Sequence, residues 1–317
     1  MVGGGAIGGI TAAGLAADVV VLDANAEHVA RMRDPGLVIG DAAPVALDAV
    51  TADPPGEFDF ALIAIKAPLH ELVLPGLAAR GGIGAFCTLG NGLIQDRIEG
   101  IVGRGNLLAC LVEWGGTNAG PGRLIRDSQG GYVVGELDGS ISERAQALAD
   151  ALQPIGPTRV TDNVRGMIWT KLLINSTFTG LSAVSGLRYG PAAEAAGDAV
   201  FALWAEGVAV ADAQGLELQT IHGIEPHHFD APALARMMEG SARVKPSMLQ
   251  DLEAGRATEV DVVNGGVAAR GREHGIATPC NDAVVELVHS MERGERSPDP
   301  QWLRYVSEAQ TISATDS

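Results

Sequence analysis

Met1-Val2-Gly3-Gly4-Gly5-Ala6-Ile7-Gly8 opens the chain, and Val19-Val20-Val21-Leu22-Asp23 follows it. Gly3, Gly5 and Gly8 fit the pattern G-x-G-x-x-G. In such a turn the first glycine bends the chain, the second lets the backbone approach a pyrophosphate, and the third allows close helix–strand packing. Ala6–Leu15 reads as the helix that would point its N-terminus at the phosphates, with Ala6 and Ile7 set against the dinucleotide beside the glycines. Residues 19–22 read as a buried strand. Asp23 ends it about 20 residues after Gly3, where a carboxylate would accept hydrogen bonds from the adenosine ribose hydroxyls. The pattern alone is weak in a chain with 42 glycines; the helix, strand and acid that follow in order strengthen it. The plain alternative for Asp23 is a turn residue before Asn25. Only Met1 and Val2 precede Gly3, although a first strand normally needs about five residues. Either that strand is unusually short or the given start is internal to the true one.

Outward from this turn, short apolar runs continue to alternate with helical patterns. Strands are expected at 58–65, 85–89 and Leu107–Val112, and helices at 26–33, 69–79 and 93–102, with Pro75 expected to kink or break the third helix from the N-terminus. Strands alternating with helices argue for parallel βαβ units. A hairpin is expected over 124–137 around Gly130-Gly131, then a helix over 142–152 with Ser142 as N-cap. Beyond about residue 160 strand signals almost vanish and helices are expected at 163–177, 191–214, 232–240, 248–255, 258–273 and 282–292, with 311–317 a frayed tail. The fold class is therefore α/β: a Rossmann-type dinucleotide-binding domain over 1–160, and a second, all-α substrate and catalytic domain over 161–317, with the active site expected in the cleft between them.

Composition bounds the function. A chain of 317 residues suits about two domains. It has no apolar run long enough to span a bilayer and no basic segment ahead of an apolar stretch, so a cytoplasmic location is the default. Cys87, Cys110 and Cys280 are odd in number and far apart, which suggests neither a disulfide frame nor zinc, and no metal is expected. A net charge of −17 would repel nucleic acid and anionic membranes. Lys66, Lys171 and Lys245 are the only lysines among 22 basic residues. A lysine kept in an arginine-using chain offers an amine that can lose a proton, as a guanidinium cannot.

The Gly-rich turn, Ile65-Lys66-Ala67, Asn91-Gly92-Leu93, Gly120-Pro121-Gly122, Trp169-Thr170-Lys171-Leu172-Leu173-Ile174-Asn175, Pro246-Ser247-Met248-Leu249-Gln250-Asp251, Thr258-Glu259-Val260-Asp261 and Asn264-Gly265 together resemble the ketopantoate reductase (2-dehydropantoate 2-reductase) family nearly end to end. The resemblance implies an NAD(P)-dependent oxidoreductase moving a hydride to or from C2 of a small 2-oxo/2-hydroxy acid, with a homodimer left open. It makes Lys171 the general acid in reduction and base in oxidation, and Glu259 the carboxylate paired with that lysine or the substrate. It sets Asn175 and Ser247 on the substrate, and Lys66 and Asn91 along the cofactor's ribose–nicotinamide region and towards the substrate. The family's usual glutamine before the asparagine is Gly90 here.

The residues make chemical sense of these roles. Reducing a ketone leaves an alkoxide that needs a proton, and a positioned cation supplies both field and proton. Lys171 among apolar neighbours could be partly desolvated, lowering its pKa, and Asn175, four residues on, shares its helix face; Thr179 is a weaker third member. The plain alternatives are a lysine whose stem packs on the core, a helix-face polar residue for Asn175, a helix-start glutamate for Glu259, and an N-cap for Ser247. Lys66 and Asn91 each follow an expected strand, beyond whose carboxyl end α/β sheets bind ligands; otherwise they are loop residues. His227-His228 with His222 reads as a surface turn rather than a metal site, and Glu113-Trp114 as either a substrate-shaping pair or a packed tryptophan. Asp23 favours NAD over NADP. The rivals are a β-hydroxyacid dehydrogenase of the 6-phosphogluconate type, from which the Ser247…Glu259 segment tips the reading away, and a non-catalytic dinucleotide-binding sensor, which would not need Lys171 and Glu259 together.

Overall fold

Apolar runs covered on both faces lose the alternation of a half-exposed strand, and the sheet at the centre of the first unit shows it. The computed structural model describes residues 1–15, 19–221 and 223–313. Its first unit comprises Met1–Gly90 and Ile94–Val164. The strands are β1 (Val20–Leu22), β2 (Val38–Ile39), β3 (Asp48–Val50), β4 (Phe58–Ile63), β5 (Ile83–Thr88), β6 (Leu107–Val112), β7 (Gly116–Asn118), β8 (Arg123–Arg126), β9 (Tyr132–Glu136) and β10 (Thr158–Val160). β6 is buried at every position. The helices are α1 (Ala6–Leu15), α2 (Ala26–Arg31), α3 (His70–Arg80), α4 (Gln95–Val102) and α5 (Glu143–Leu152). Ser142 caps α5 by accepting the Ala145 N–H.

β1 pairs in parallel with β3, and β4, β5, β6, β9 and β10 form a second run, parallel except where β9 lies antiparallel to β6. Val2 joins the two runs, bridging in parallel to Leu22 on one side and Ile63 on the other. Three backbone bonds hold it there: the Val2 N–H donates to Leu62 O, Gly3 N–H to Leu22 O and Ala64 N–H to Val2 O, each at 2.8 Å. The chain leaves Val2 for β1 on one side and later fills the other with β4, β5 and β6. The Gly3 turn therefore sits at the carboxyl end of the strand where the sheet order reverses, the place at which open α/β sheets hold ligands.

Two expectations for this unit, the hairpin and the break at Pro75, are corrected. No hairpin forms over 124–137: β8 pairs with β2 and β7, while β9 inserts between β6 and β10. α2 passes at Met32 into a π turn, and the helical backbone ends after Arg33, as expected, because Asp34, ahead of Pro35, takes an extended conformation (φ −151°, ψ 123°), as sterics before proline favour. Pro75 does not end α3; it removes a single rung, and Leu74 and Leu77, buried on either side, hold the helix to the core. That core gathers Val21, Met32, Leu62, Cys87, Leu108, Cys110, Tyr132, Val134, Leu148 and Leu152.

The second unit, Asn91–Leu93 with Arg165–Ser317, is helical: α6 (Val164–Ile174), a π turn at Asn175–Thr179, α7 (Gly180–Ser185), α8 (Tyr189–Ala196), α9 (Asp198–Ala213), α10 (Ala231–Ser241), α11 (Ser247–Glu253), α12 (Asn264–His274), α13 (Pro279–Glu292) and α14 (Trp302–Ser313). The helix expected at 191–214 is two, broken at Gly197 (φ 54°, ψ −122°), a conformation open to glycine. The helix expected at 258–273 begins only at Asn264; Thr258–Val263 instead forms a turn, its Thr258 hydroxyl accepting the Val260 N–H at 3.2 Å. α14 occupies residues where no helix was expected and runs to Ser313, so the frayed tail does not begin at 311; residues 314–317 of that expectation lie outside the described residues. Among the described residues no helix is long and apolar enough to cross a membrane.

Candidate functional site

In the first unit the three glycines meet three different constraints. Gly3 has φ +99°, and a Cβ there would lie 2.9 Å from Ile65 Cγ2. A Cβ on Gly8 would lie 2.0 Å from the Gly3 carbonyl oxygen, so α1 can close on the turn only with glycine at this position. A Cβ on Gly5 would meet nothing within 4 Å; there the bare backbone faces open space, as close approach of a ligand requires. No acidic residue occupies the first turn of α1, which leaves its N-terminal dipole available to an anion. A dinucleotide's pyrophosphate fits this cradle. Ala6 and Ile7 form the first turn of α1 beside it.

Asp23 follows β1 and turns towards the glycines. Its Oδ2 accepts the Gly4 N–H at 2.8 Å and its Oδ1 the Asn25 N–H at 2.9 Å, so it does the turn work of the plain alternative; each oxygen keeps a further lone pair for a ribose hydroxyl. His28 was not singled out by the sequence. It is buried on α2, and its Nδ1 accepts the Gly122 N–H at 2.8 Å. The ring proton must then sit on Nε2, which donates to the Gly4 carbonyl at 2.7 Å. Both polar groups of the Gly4 backbone are therefore held by side chains. The only sequence signal was position: the third residue of the helix that follows Asp23. Lys66 lies half-buried just past Ile65, the residue packed on Gly3, and its carbonyl accepts the Leu69 N–H at 2.9 Å.

In the second unit, Asn91, Asn175, Thr179, Ser247, Met248, Asp251, Glu259 and Val263 line one cleft of about 290 Å³, part of it open to solvent. Four separate segments supply them. Asn91 is carried by a loop tied to the Thr258–Val263 turn: the Leu93 N–H donates to Val262 O at 2.8 Å, and Gly92 (φ +81°) lies so close that a Cβ would be 2.5 Å from the same oxygen. Asn175 and Thr179 open and close the π turn. Ser247, Met248 and Asp251 belong to α11; Ser247 and Asp251, four apart, share a face. Ser247 is the first residue of that helix and Pro246 holds the N-cap position, so the N-cap alternative does not hold. Glu259, half-buried, sits in the turn and not at a helix start.

Four of the expected site residues, Asn91, Asn175, Ser247 and Glu259, thus converge. Lys171 is half-buried on α6, four residues before Asn175, and does not itself line the cleft. Asp251, the last residue of the Pro246–Asp251 motif, also lines the cleft and is almost fully buried, its Oδ1 accepting from Arg256 Nε at 3.0 Å. The four-residue spacing from Ser247 was the available signal. Other candidates resolve as structure. Trp114 is buried edge-on to Tyr132, with the Arg126 guanidinium 4.7 Å from its ring centre, and Glu113 pairs with Arg159 at 2.8 Å. His227 is exposed and bonds Asp212 at 2.9 Å, while His222 lies outside the described residues. Lys245 pairs with Glu253. Cys87, Cys110 and Cys280 are buried and free, and among the described residues no group of three or more His, Cys, Asp or Glu side chains could hold a metal.

Two family models match the chain: Ketopantoate reductase PanE/ApbA over residues 1–139, and Ketopantoate reductase PanE/ApbA C terminal over residues 163–292. A 2-dehydropantoate 2-reductase of Archaeoglobus fulgidus is 28% identical over 298 residues, covering 93% of this chain and 97% of its own. One from Streptococcus pyogenes is 30% identical over 287 residues, covering 87% and 90%. Among solved structures, a ternary structure of D-mandelate dehydrogenase with NADH and anilino(oxo)acetate is similar at 25% identity and TM-score 0.79, covering 93% of this chain and 99% of that one. A PanE/ApbA family ketopantoate reductase from Ralstonia eutropha is similar at 26% identity and TM-score 0.77, covering 93% and 99%.

Proposed function

Because the chain belongs to the ketopantoate reductase family and is an oxidoreductase acting on CH–OH groups with a nicotinamide cofactor, we propose that it reduces the C2 carbonyl of a small 2-oxo acid, reversibly, with NAD(H) preferred. The observation that carries this reading is the convergence of Asn91, Asn175, Ser247 and Glu259, drawn from four segments, on one cleft. The acid is bound by neutral hydrogen-bonding groups, the Asn91 and Asn175 amides and the Ser247 hydroxyl, which can hold a carboxylate and a carbonyl or hydroxyl together.

When bound, the reduced nicotinamide supplies the hydride. The Lys171 ammonium gives its proton to the oxygen as negative charge develops there, and takes one back in alcohol oxidation. Glu259 keeps that lysine charged and oriented. Residues 1–160, apart from Asn91, serve the dinucleotide: Gly3, Gly5 and Gly8 leave room for the pyrophosphate, and Lys66 stands near the nicotinamide ribose. Residues 161–317 serve the substrate.

The NAD preference follows from Asp23, which would repel a 2′-phosphate, and from Ala24, Asn25 and Ala26, which carry no cation. The similar D-mandelate dehydrogenase was solved with NADH. Ketopantoate is the default substrate by family, and aryl or alkyl 2-oxo acids are the alternatives. The test is a screen of 2-oxo and 2-hydroxy acids with all four cofactor forms, followed at the absorbance of the reduced nicotinamide. Turnover of at least one pair is expected; none with any acid would overturn the reading.

A further inference from the structure

The π turn Asn175–Thr179 begins and ends on residues that line the cleft. Such turns are uncommon, recur at functional sites, and need their widened backbone held. A chain of side chains outside the cleft holds this one. Glu206 of α9 accepts the Cys280 N–H at Oε1 (2.8 Å), and at Oε2 both the Asn281 N–H (3.0 Å) and the Asn281 side-chain Nδ2 (2.8 Å). With its amide nitrogen committed to Glu206, Asn281 turns Oδ1 the other way, and there it accepts from Asn264 Nδ2 at 2.9 Å. The same nitrogen donates to the Ser176 carbonyl, inside the π turn, at 2.8 Å.

The direction of every bond is fixed, because a carboxylate only accepts. Asn264 must therefore present nitrogen to Ser176, which leaves its Oδ1 buried with no partner. An unmade bond on a buried acceptor is costly, and here it accompanies the two bonds that the amide nitrogen donates, to Ser176 O and to Asn281 Oδ1. Asn264, Asn281 and Ser176 are all fully buried. Gly180, the residue after the turn, makes room for the arrangement: a Cβ there would lie 3.0 Å from Asn264 Oδ1 and 3.1 Å from Nδ2.

We propose that Asn264 is a positioning residue, anchored through Asn281 to Glu206, whose amide keeps the π turn open and so sets where Asn175 stands in the cleft. The proposal rests on the reading of that cleft as the 2-oxo acid site. Asn264 touches no substrate; it acts through the Ser176 backbone.

Two variants test it: Asn264→Leu, which keeps the approximate size but loses the donor, and Gly180→Ala, which leaves Asn264 in place chemically and pushes its amide away from Ser176. Each full-length protein is crystallised, and its KM for the 2-oxo acid, kcat and Kd for the reduced cofactor are measured. Both variants are expected to move the Asn175 side chain, to raise KM about tenfold, the loss of roughly one well-placed hydrogen bond, and to leave the cofactor Kd within about twofold. A π turn and an Asn175 unmoved in both variants would overturn the proposal, as would a displaced Asn175 with unchanged KM, or a cofactor Kd that weakens in step with KM. If the wild-type protein reduces no 2-oxo acid, the functional reading falls, and the crystal comparison alone decides whether Asn264 holds the turn.

Discussion

Replacing Asp23 tests the cofactor assignment where the chemistry of the two cofactors differs. The Asp23 carboxylate is half-buried and fixed by the Gly4 and Asn25 amides at 2.8 and 2.9 Å, so it cannot swing away from an incoming phosphate without giving up two backbone bonds. A 2′-phosphate carries close to two charges. At a separation of about 5 Å and an effective dielectric of about 40, suited to a half-exposed site, the repulsion is about 3 kcal/mol, or about two orders of magnitude in kcat/KM. Wild-type protein should therefore favour NADH over NADPH by about a hundredfold at low salt, and by less in concentrated salt. Asp23→Ala removes the repulsion, the ribose acceptor and the anchor for two amides together. NADH efficiency should fall by at least tenfold, NADPH efficiency should hold or rise, and the ratio should shrink below about tenfold, further still with Ala24→Arg. The assay is kcat/KM for both cofactors at two salt concentrations. A wild-type preference for NADPH would refute the reasoning: Asp23 would then serve only the turn, and Arg31, whose Cβ sits against the Gly122 turn, would be the cation reaching the phosphate.

Other outcomes follow from the same geometry. Lys171→Ala should lower kcat by about two to four orders of magnitude with cofactor affinity unchanged; near-normal turnover by the folded variant would end its assignment as general acid. Glu259→Gln should reduce kcat and shift its pH profile, whereas an unchanged rate and profile would leave Glu259 a turn residue of Thr258–Val263. Gly5→Ala should fold normally and bind cofactor at least tenfold more weakly, because its methyl enters open space the ligand needs, while Gly8→Ala should fail on stability, because its methyl would meet the Gly3 carbonyl; equal melting temperatures for the two would contradict this. Burial pushes the Glu136 carboxyl up, but hydrogen bonds from Arg144 and Ser142 outweigh it and hold its pKa below the usual 4.5. Its stabilisation is therefore present above about pH 4.5 and lost as pH falls through the lowered value. In urea, Glu136→Gln should be about 2 kcal/mol less stable than wild type at pH 7, with the gap closing on acidification; a gap independent of pH would remove the ion pair as its cause.

The glycine turn was legible from sequence because its constraints are local. The positive φ of Gly3 and the approach of Gly8 to the Gly3 carbonyl both act within one strand–turn–helix unit, and Asp23 lies one strand further on. α1 and β6 were likewise expected at their observed bounds, since an apolar run bounded by turn residues decides a buried element by itself. Non-local pairing was illegible. Nothing in 124–137 distinguishes two strands that pair with each other from two that part to opposite neighbours, and β9 joins β6 across some twenty intervening residues. The Thr258–Val263 turn escaped notice for a related reason. Its residues carry a helical pattern, and a single threonine hydroxyl, accepting the Val260 N–H, competes against it.

The cleft poses a harder problem, because backbone atoms do much of the placing. Asn91 reaches the Glu259 segment through the Leu93 N–H on the Val262 carbonyl, and Asn175 is set by the Ser176 carbonyl on Asn264. A backbone carbonyl looks the same whatever side chain it carries, so neither bond leaves a pattern at the residue that accepts it. What does remain visible is the room such close approaches demand. Gly92 and Gly180 stand where a Cβ would strike Val262 O or the Asn264 amide; Gly92 is next to Asn91, and Gly180 directly follows the turn that carries Asn175. In this chain a glycine beside a segment that lines the cleft is thus a trace of the site's scaffold, and it predicts the effect of adding a methyl. Gly92→Ala, with φ at +81° and a backbone oxygen 2.5 Å from the new atom, should detach the Asn91 loop from the Thr258–Val263 turn and raise KM for the acid, while nucleotide affinity, set at Gly3, Gly5 and Gly8, stays as it was. Loss of nucleotide affinity in that variant at unchanged KM would mean that Asn91 serves the cofactor rather than the acid.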